Sequence, residues 1–141
     1  MENALNAYRR TDTMGKSQLD LIVQVYDGAV SAYTAAVESY EANDLQQGHE
    51  HLEHARRFVT HLYTTLDFER GGEIAERLGA LYAFLINQTD LVQATKDLSV
   101  IHSNIKILKN IREGWVGIRD QVPGAGTPPD NAASGSRSTR A

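Results

Sequence analysis

The chain has 141 residues, a hydrophobic fraction of 41%, 14 basic against 18 acidic residues and a formal charge of −4, which suits one domain built around one core. That mild acidity, with no Lys/Arg-rich run, argues against nucleic acid as a partner, because phosphate binding needs clustered cations. Cysteine is absent, which removes disulfides and thiolate metal sites and leaves the redox compartment open.

In chain order, residues 1–16 come first. They lack the basic start and long apolar stretch of a secretory signal, and no apolar run anywhere approaches the ~20 residues that span a bilayer. The expectation is a cytoplasmic protein without membrane insertion. The string Tyr8-Arg9-Arg10-Thr11-Asp12-Thr13-Met14-Gly15 is too polar to form a stable element alone. At most a short helix around Asn3 to Tyr8 lies against the rest as a mobile cap segment.

Residues 17–122 contain no proline, which permits long helices, and show four stretches of helical periodicity. Ser17 is the expected N-cap of the first, in which Ile22, Tyr26, Ala29, Tyr33, Ala36 and Tyr40 form one stripe. The second starts after Asp44, with Gln47 in the capping-box position and a seam of Leu45, Leu52, Ala55, Val59, Leu62 and Leu66. Gly71-Gly72 then breaks the chain, and the third helix carries Ile74, Leu78, Leu81 and Leu85. The fourth is expected from Asp97, with Leu98, Ile101, Ile105, Leu108, Arg112 and Trp115 on its seam; Arg112 can bury its stem and keep its charge wet. Helices this long with short connections pack as an antiparallel four-helix bundle. Residues 123–141 hold all three prolines with Gly, Ser, Thr and Ala, and read as a disordered tail that cannot offset its ordering entropy.

Catalytic and metal patterns fail on their spacing. His49, His51, His54 and His61 share the second helix, but His49-Glu50-His51-Leu52-Glu53-His54 places Glu53 where a zinc-protease helix needs its second histidine. It also lacks the Glu-x-x-His pairs of a di-iron bundle. No serine sits in a nucleophile turn, and Gly71-Gly72 lacks the lysine of a phosphate loop. The expectation is no enzyme, no cofactor and no metal. The more unusual feature is apolar surplus. Leu21, Val25 and Val30 widen the first helix's apolar face, and Tyr82, Phe84 and Ile86 that of the third. Such a band is either core or a groove for a partner helix.

Three ordered strings carry a resemblance. Leu21-Ile22-Val23-Gln24-Val25-Tyr26-Asp27-Gly28-Ala29-Val30 comes first. Leu62-Tyr63-Thr64-Thr65-Leu66-Asp67 follows, continued by Gly71-Gly72-Glu73-Ile74-Ala75 and then Leu78, Leu81 and Tyr82. Ile111-Arg112-Glu113-Gly114-Trp115 closes the set. Together they resemble the FliS family of flagellar secretion chaperones, with Val25 and Ile111 where that family usually has leucine, and with Tyr8 at its N-terminal aromatic or aliphatic position. The resemblance implies a four-helix bundle that binds the disordered C-terminal segment of flagellin, prevents its premature polymerisation and keeps it fit for flagellar type III secretion. It also implies contact with the flagellar export gate and other flagellar regulators. The site expected from it is a groove between the first and third helices, formed by Leu21, Ile22, Val25, Tyr26 and Ala29 with Ile74, Leu78 and Tyr82. Tyr8 occupies part of that groove until the client arrives. Asp67, Gly71 and Gly72 are expected to shape the turn between the second and third helices, and Trp115 to sit in the core or at the bundle end. The competing readings are a bundle that self-associates through the same band and a metallo-bundle using the histidine-rich helix.

Overall fold

The computed structural model describes residues 6–8 and 16–122. The remainder of the cap segment and the tail 123–141 lie outside the described residues. Four helices follow in order: α1 (Lys16–Glu41), α2 (Leu45–Thr64), α3 (Phe68–Thr95) and α4 (Leu98–Gln121).

An aspartate starts each of the last three. Asp44 accepts from the Gln47 amide at 3.2 Å, Asp67 from the Arg70 amide at 3.0 Å and Asp97 from the Ser99 amide at 3.1 Å. Each carboxylate satisfies an amide that the first helical turn leaves open. The connections are correspondingly tight, and two use a left-handed residue, Asn43 (φ 63°) and Lys96 (φ 59°). α1 begins at Lys16, so Ser17 lies inside it rather than before it.

The glycine pair behaves differently from its expected role as a chain break. The second helix stops at Thr64 and Asp67 starts the next, so the reversal is complete before the pair is reached. Gly71 closes the first turn of α3 by donating to the Asp67 carbonyl at 2.8 Å. Gly72 alone leaves helical geometry, at φ 52° and ψ −128°, and puts a kink after that turn. A positive φ with that ψ is open essentially to glycine alone.

Short connections force each helix to run against its predecessor. α1 packs on α2 and α4, and α3 packs on the same two, so α1 and α3 face each other diagonally across the core. The Tyr26, Tyr33 and Tyr40 stripe is buried along its whole length, as are Leu52, Ala55, Val59 and Leu62 of α2. α3 turns a different seam inward from the one its large aliphatics suggest: Ala75, Gly79, Tyr82, Leu85, Thr89 and Val92 are buried, while Ile74, Leu78 and Leu81 are half-buried. In α4 the inward line runs Ile101, Asn104, Leu108, Trp115 and Ile118. No helix among the described residues is long and apolar enough to cross a membrane.

Candidate functional site

The first residues that matter are Ala7 and Tyr8, which precede α1 yet are 0% and 5% exposed. Three contacts hold them on the end of the bundle where α2 stops and α3 starts. The Asp67 amide donates to the Ala7 carbonyl at 2.7 Å. Ala7 packs on Gly71 so closely that a Cβ there would lie 2.7 Å from the Ala7 Cα and as near to the Ala75 methyl. The Tyr8 ring meets Trp115 edge-on at 5.4 Å. Gly71 is therefore the floor on which the segment rests.

The Tyr8 hydroxyl joins a buried chain of polar groups. The Trp115 indole N–H lies 3.2 Å from the Tyr26 hydroxyl, Tyr26 and Tyr82 are hydrogen-bonded, and Tyr8 lies 2.8 Å from the Tyr82 hydroxyl and 3.0 Å from the Leu62 carbonyl. An indole N–H can only donate and a carbonyl can only accept, and each hydroxyl has one proton. One assignment leaves no buried donor idle: Trp115 to Tyr26, Tyr26 to Tyr82, Tyr82 to Tyr8, and Tyr8 to Leu62. If Tyr8 gave its proton to Tyr82 instead, either Tyr26 or Tyr82 would hold a proton with no acceptor. Leu62 is available because it lies in the last turn of α2, and the nearby Thr65 hydroxyl gives its single proton to the His61 carbonyl at 2.8 Å rather than to Leu62 at 3.4 Å. Burial raises the pKa of Tyr8, Tyr26 and Tyr82 above the ordinary tyrosine value, so all three stay neutral and able to donate.

Two clefts lie near this seat, a mixed one lined by Tyr8 itself and an apolar one that meets Tyr8 through Trp115. One, of about 190 Å³, lies between α1 and the end of α2, with Leu21, Ile22 and Val25 on one wall and His61, Leu62 and Thr65 on the other; Tyr8 closes its end. The second, of about 230 Å³, lies between α3 and α4, where Ile74 and Leu78 face Ile111, Gly114, Trp115 and Ile118. A further cleft, of about 480 Å³, lies between α1 and α4, where the charged Asp27, Lys109, Arg112 and Glu113 stand beside Val30, and Asp27 and Arg112 form an ion pair there.

The residues singled out in the sequence thus separate into three groups. Leu21, 59% exposed, lies open on the first cleft with half-buried Val25, and Ile22 forms its floor. Ile74 and Leu78 line the second cleft. Tyr26, Ala29 and Tyr82 are 0% exposed and belong to the core behind the seat. Up-and-down connectivity sets α1 and α3 on a diagonal, and the candidate residues that reach the surface fall on two clefts, one between α1 and α2 and one between α3 and α4. Pattern reading missed Ala7, for which no signal existed, and Gly71's part in holding it. It also missed Ile111 and Ile118 as cleft walls, although both sit at helical spacing from Trp115.

The histidine-rich helix disperses its side chains. His49 bonds the Tyr40 hydroxyl at 3.2 Å and His54 stacks on Phe58 at 4.8 Å. Among the described residues no three His, Asp or Glu side chains come together as a metal site would need.

Comparison with known proteins places the sequence in a family. The family model described as flagellar protein FliS matches residues 1–122. The flagellar secretion chaperone FliS of Salmonella typhimurium is 34% identical over 103 residues, covering 72% of this chain and 76% of the relative. That of Campylobacter jejuni is 28% identical over 112 residues, covering 79% and 88%. That of Vibrio cholerae is 26% identical over 129 residues, covering 87% and 90%. These relatives carry the name of chaperones, a class that binds rather than makes or breaks bonds. Since the family match takes in all four helices together with Tyr8, the glycine pair and Trp115, the chain belongs to the FliS family of flagellar proteins.

Proposed function

We propose that this protein is a cytoplasmic chaperone that holds the C-terminal segment of flagellin, keeps it from polymerising and delivers it fit for flagellar export. The observation that carries this reading is the arrangement around Tyr8: it lines a cleft between α1 and α2 and, through Trp115, adjoins an apolar cleft between α3 and α4. An amphipathic client helix needs an apolar strip longer than one cleft. Displacement of Tyr8 would uncover the Trp115 ring between them and so link Leu21, Ile22 and Val25 at one end to Ile74 and Leu78 at the other. Tyr26, Ala29 and Tyr82 then act from behind, as the wall against which Tyr8 or its replacement rests.

The energetics suit an exchange. Ordering a disordered client costs roughly 2–5 kcal/mol, and covering the part of Leu21 still open, 59% exposed, returns about 1–2 kcal/mol. A few such contacts therefore suffice, and release at the export gate needs no nucleotide, only a competitor for the same strip. Contact with the export gate and with other flagellar regulators follows from the family likeness and belongs to this proposal.

The deciding experiment is calorimetric titration of the full chain with the last ~50 residues of flagellin from the same source, a length that allows several helical turns. Saturable one-to-one binding with a negative heat-capacity change is expected. Absence of binding at high micromolar concentration, with both partners intact, would remove the reading. One observation favours self-association instead: Phe84 and Leu91, seven residues apart on the outer face of α3, are 47% and 48% exposed. Sedimentation with and without the flagellin peptide separates the two, since a tight dimer indifferent to peptide would support the second.

A further inference from the structure

The seat of Tyr8 is not a plain apolar hole. When Tyr8 leaves, its floor presents two polar groups: the Tyr82 hydroxyl, one of a tyrosine pair that then holds a proton with no acceptor, and the end-of-helix Leu62 carbonyl. The wall beside them is the Trp115 ring. Any side chain that enters takes over both obligations, because a buried donor or acceptor left unpaired is costly.

We infer that the seat selects the client residue that replaces Tyr8 by its tip: a neutral group that accepts one hydrogen bond and donates one, a hydroxyl or a carboxamide on a side chain with the reach of Tyr or Gln. The alternatives each fail on one partner. A carboxylate accepts from Tyr82 but sets its charge against the Leu62 carbonyl. An ammonium donates to Leu62 and strands the Tyr82 proton. A leucine or phenylalanine fills the space and satisfies neither. Selection of this kind places one polar-tipped residue within an otherwise apolar client face and fixes the register in which that face lies over the two clefts. The inference rests on the exchange of Tyr8 for client and specifies its chemistry.

Small molecules test the seat apart from any client. In the full-length Tyr8→Ala variant, p-cresol and toluene differ only by the hydroxyl that would meet Tyr82 and Leu62. Titration followed by Trp115 fluorescence should show p-cresol binding about tenfold more tightly, the ratio that roughly one net buried hydrogen bond supports. Adding Tyr82→Phe should erase most of that preference. Equal affinity of the two compounds for Tyr8→Ala overturns the inference. Should Tyr8→Ala fail to fold, Tyr8→Gln and Tyr8→Leu give the same comparison in place. The Asp67 amide, which donates to the Ala7 carbonyl, reports seat occupancy by hydrogen exchange. Slower exchange in Tyr8→Gln than in Tyr8→Leu is expected, and the reverse order overturns the inference. Flagellin titration of Tyr8→Ala keeps the two ideas apart. An unchanged affinity refutes the exchange itself. A raised affinity together with equal cresol and toluene binding refutes only the polar selection.

Discussion

The bundle contains two polar layers seven residues apart, and they are built from the same chemistry to different ends. In the inner layer the Tyr33 hydroxyl pairs with Thr89 at 2.6 Å, and Asn104 donates to the Leu85 carbonyl at 3.2 Å. All of its members belong to the bundle helices α1, α3 and α4. In the outer layer, Tyr26 and Tyr82 occupy the positions one heptad earlier on α1 and α3, and Trp115 adds the α4 member. The last partner, Tyr8, arrives from outside the bundle. The inner layer is drawn entirely from the bundle helices, with the buried Asn104 Oδ1 left without a partner, whereas the outer one is closed by a residue that precedes them. The tyrosine position that pairs with Thr89 inside the bundle pairs, one heptad further out, with Tyr82 at the socket that seats Tyr8.

The largest expected effect tests that contrast by truncation. Tyr33→Ala removes a ring that is 0% exposed and leaves Thr89 and Asn104 short of a partner, so it should cost about 3–5 kcal/mol of unfolding free energy. Tyr8→Ala removes a ring of equal size from the socket. It should lower the midpoint of denaturant unfolding far less, because the four helices keep their own contacts without it. Comparable losses in the two variants would show that the N-terminal segment is an integral part of the core and would end the socket idea.

High pH probes both layers together. Burial raises the pKa of Tyr8, Tyr26, Tyr33 and Tyr82 above the ordinary 10.0. The folded chain therefore keeps protons that the unfolded chain loses, and the stability they contribute is fully present below pH 10 and declines above it. Each tyrosine that is neutral when folded and ionised when unfolded contributes a slope of about 1.4 kcal/mol per pH unit. Unfolding midpoints measured from pH 9 upward should fall with that sign. In Tyr8→Phe the fall should be shallower by one tyrosine's share, provided the socket is occupied. A stability that stays flat above pH 10 would contradict the burial of these hydroxyls.

A third test acts on the socket's floor without touching a cleft residue. A side chain at Gly71 collides with the Ala7 backbone and with Ala75, so Gly71→Val should lift residues 7 and 8 from the bundle. Exchange of the Asp67 amide should speed up about tenfold or more, equivalent to roughly 1.4 kcal/mol of docking free energy, and affinity for the flagellin segment should rise. Gly117→Ala is the matching control, since a Cβ there meets nothing within 4 Å. If the Asp67 amide exchanges alike in both variants, Gly71 is not what seats the segment.

How much of this was legible in the sequence follows from what periodicity can report. Helix count, helix order and the Tyr26, Tyr33 and Tyr40 stripe were legible because large apolar residues at heptad spacing have few other uses. The inner polar layer was not: Thr89 and Asn104 break an apolar pattern instead of making one, and only tertiary contact reveals their partners. On α3, the large residues Ile74 and Leu78 pointed to the wrong inward face, because the core takes the small Ala75 and Gly79 where the chain comes close. Periodicity also places residues on a face without saying which neighbour the face meets. That is why an α1–α3 groove was a natural reading and two separate clefts are what the diagonal arrangement leaves. Tyr8 was legible only through its family likeness, and Gly71-Gly72 only as a breaker.

The smallest expected effect concerns the ion pairs that link α1 to α4 beside both layers. Asp20 pairs with Arg119 at 3.1 Å, and one heptad on Asp27 pairs with Arg112. Their spacing mirrors the layers and invites the view that they set the register. Their exposure says otherwise: the Asp27 side chain is 50% and that of Arg112 31% accessible, and pairs this wet contribute about 0–1 kcal/mol and weaken with salt. Asp27→Asn should therefore shift the unfolding midpoint slightly at low ionic strength and almost not at all in molar salt. A loss that persists in high salt and rivals that of Tyr33→Ala would mean that the α1–α4 contact is specified from the surface. The prediction follows from dielectric alone: inside the bundle each unpaired hydroxyl is expensive, so the buried layers dictate how the helices align, and the surface charges adapt to them.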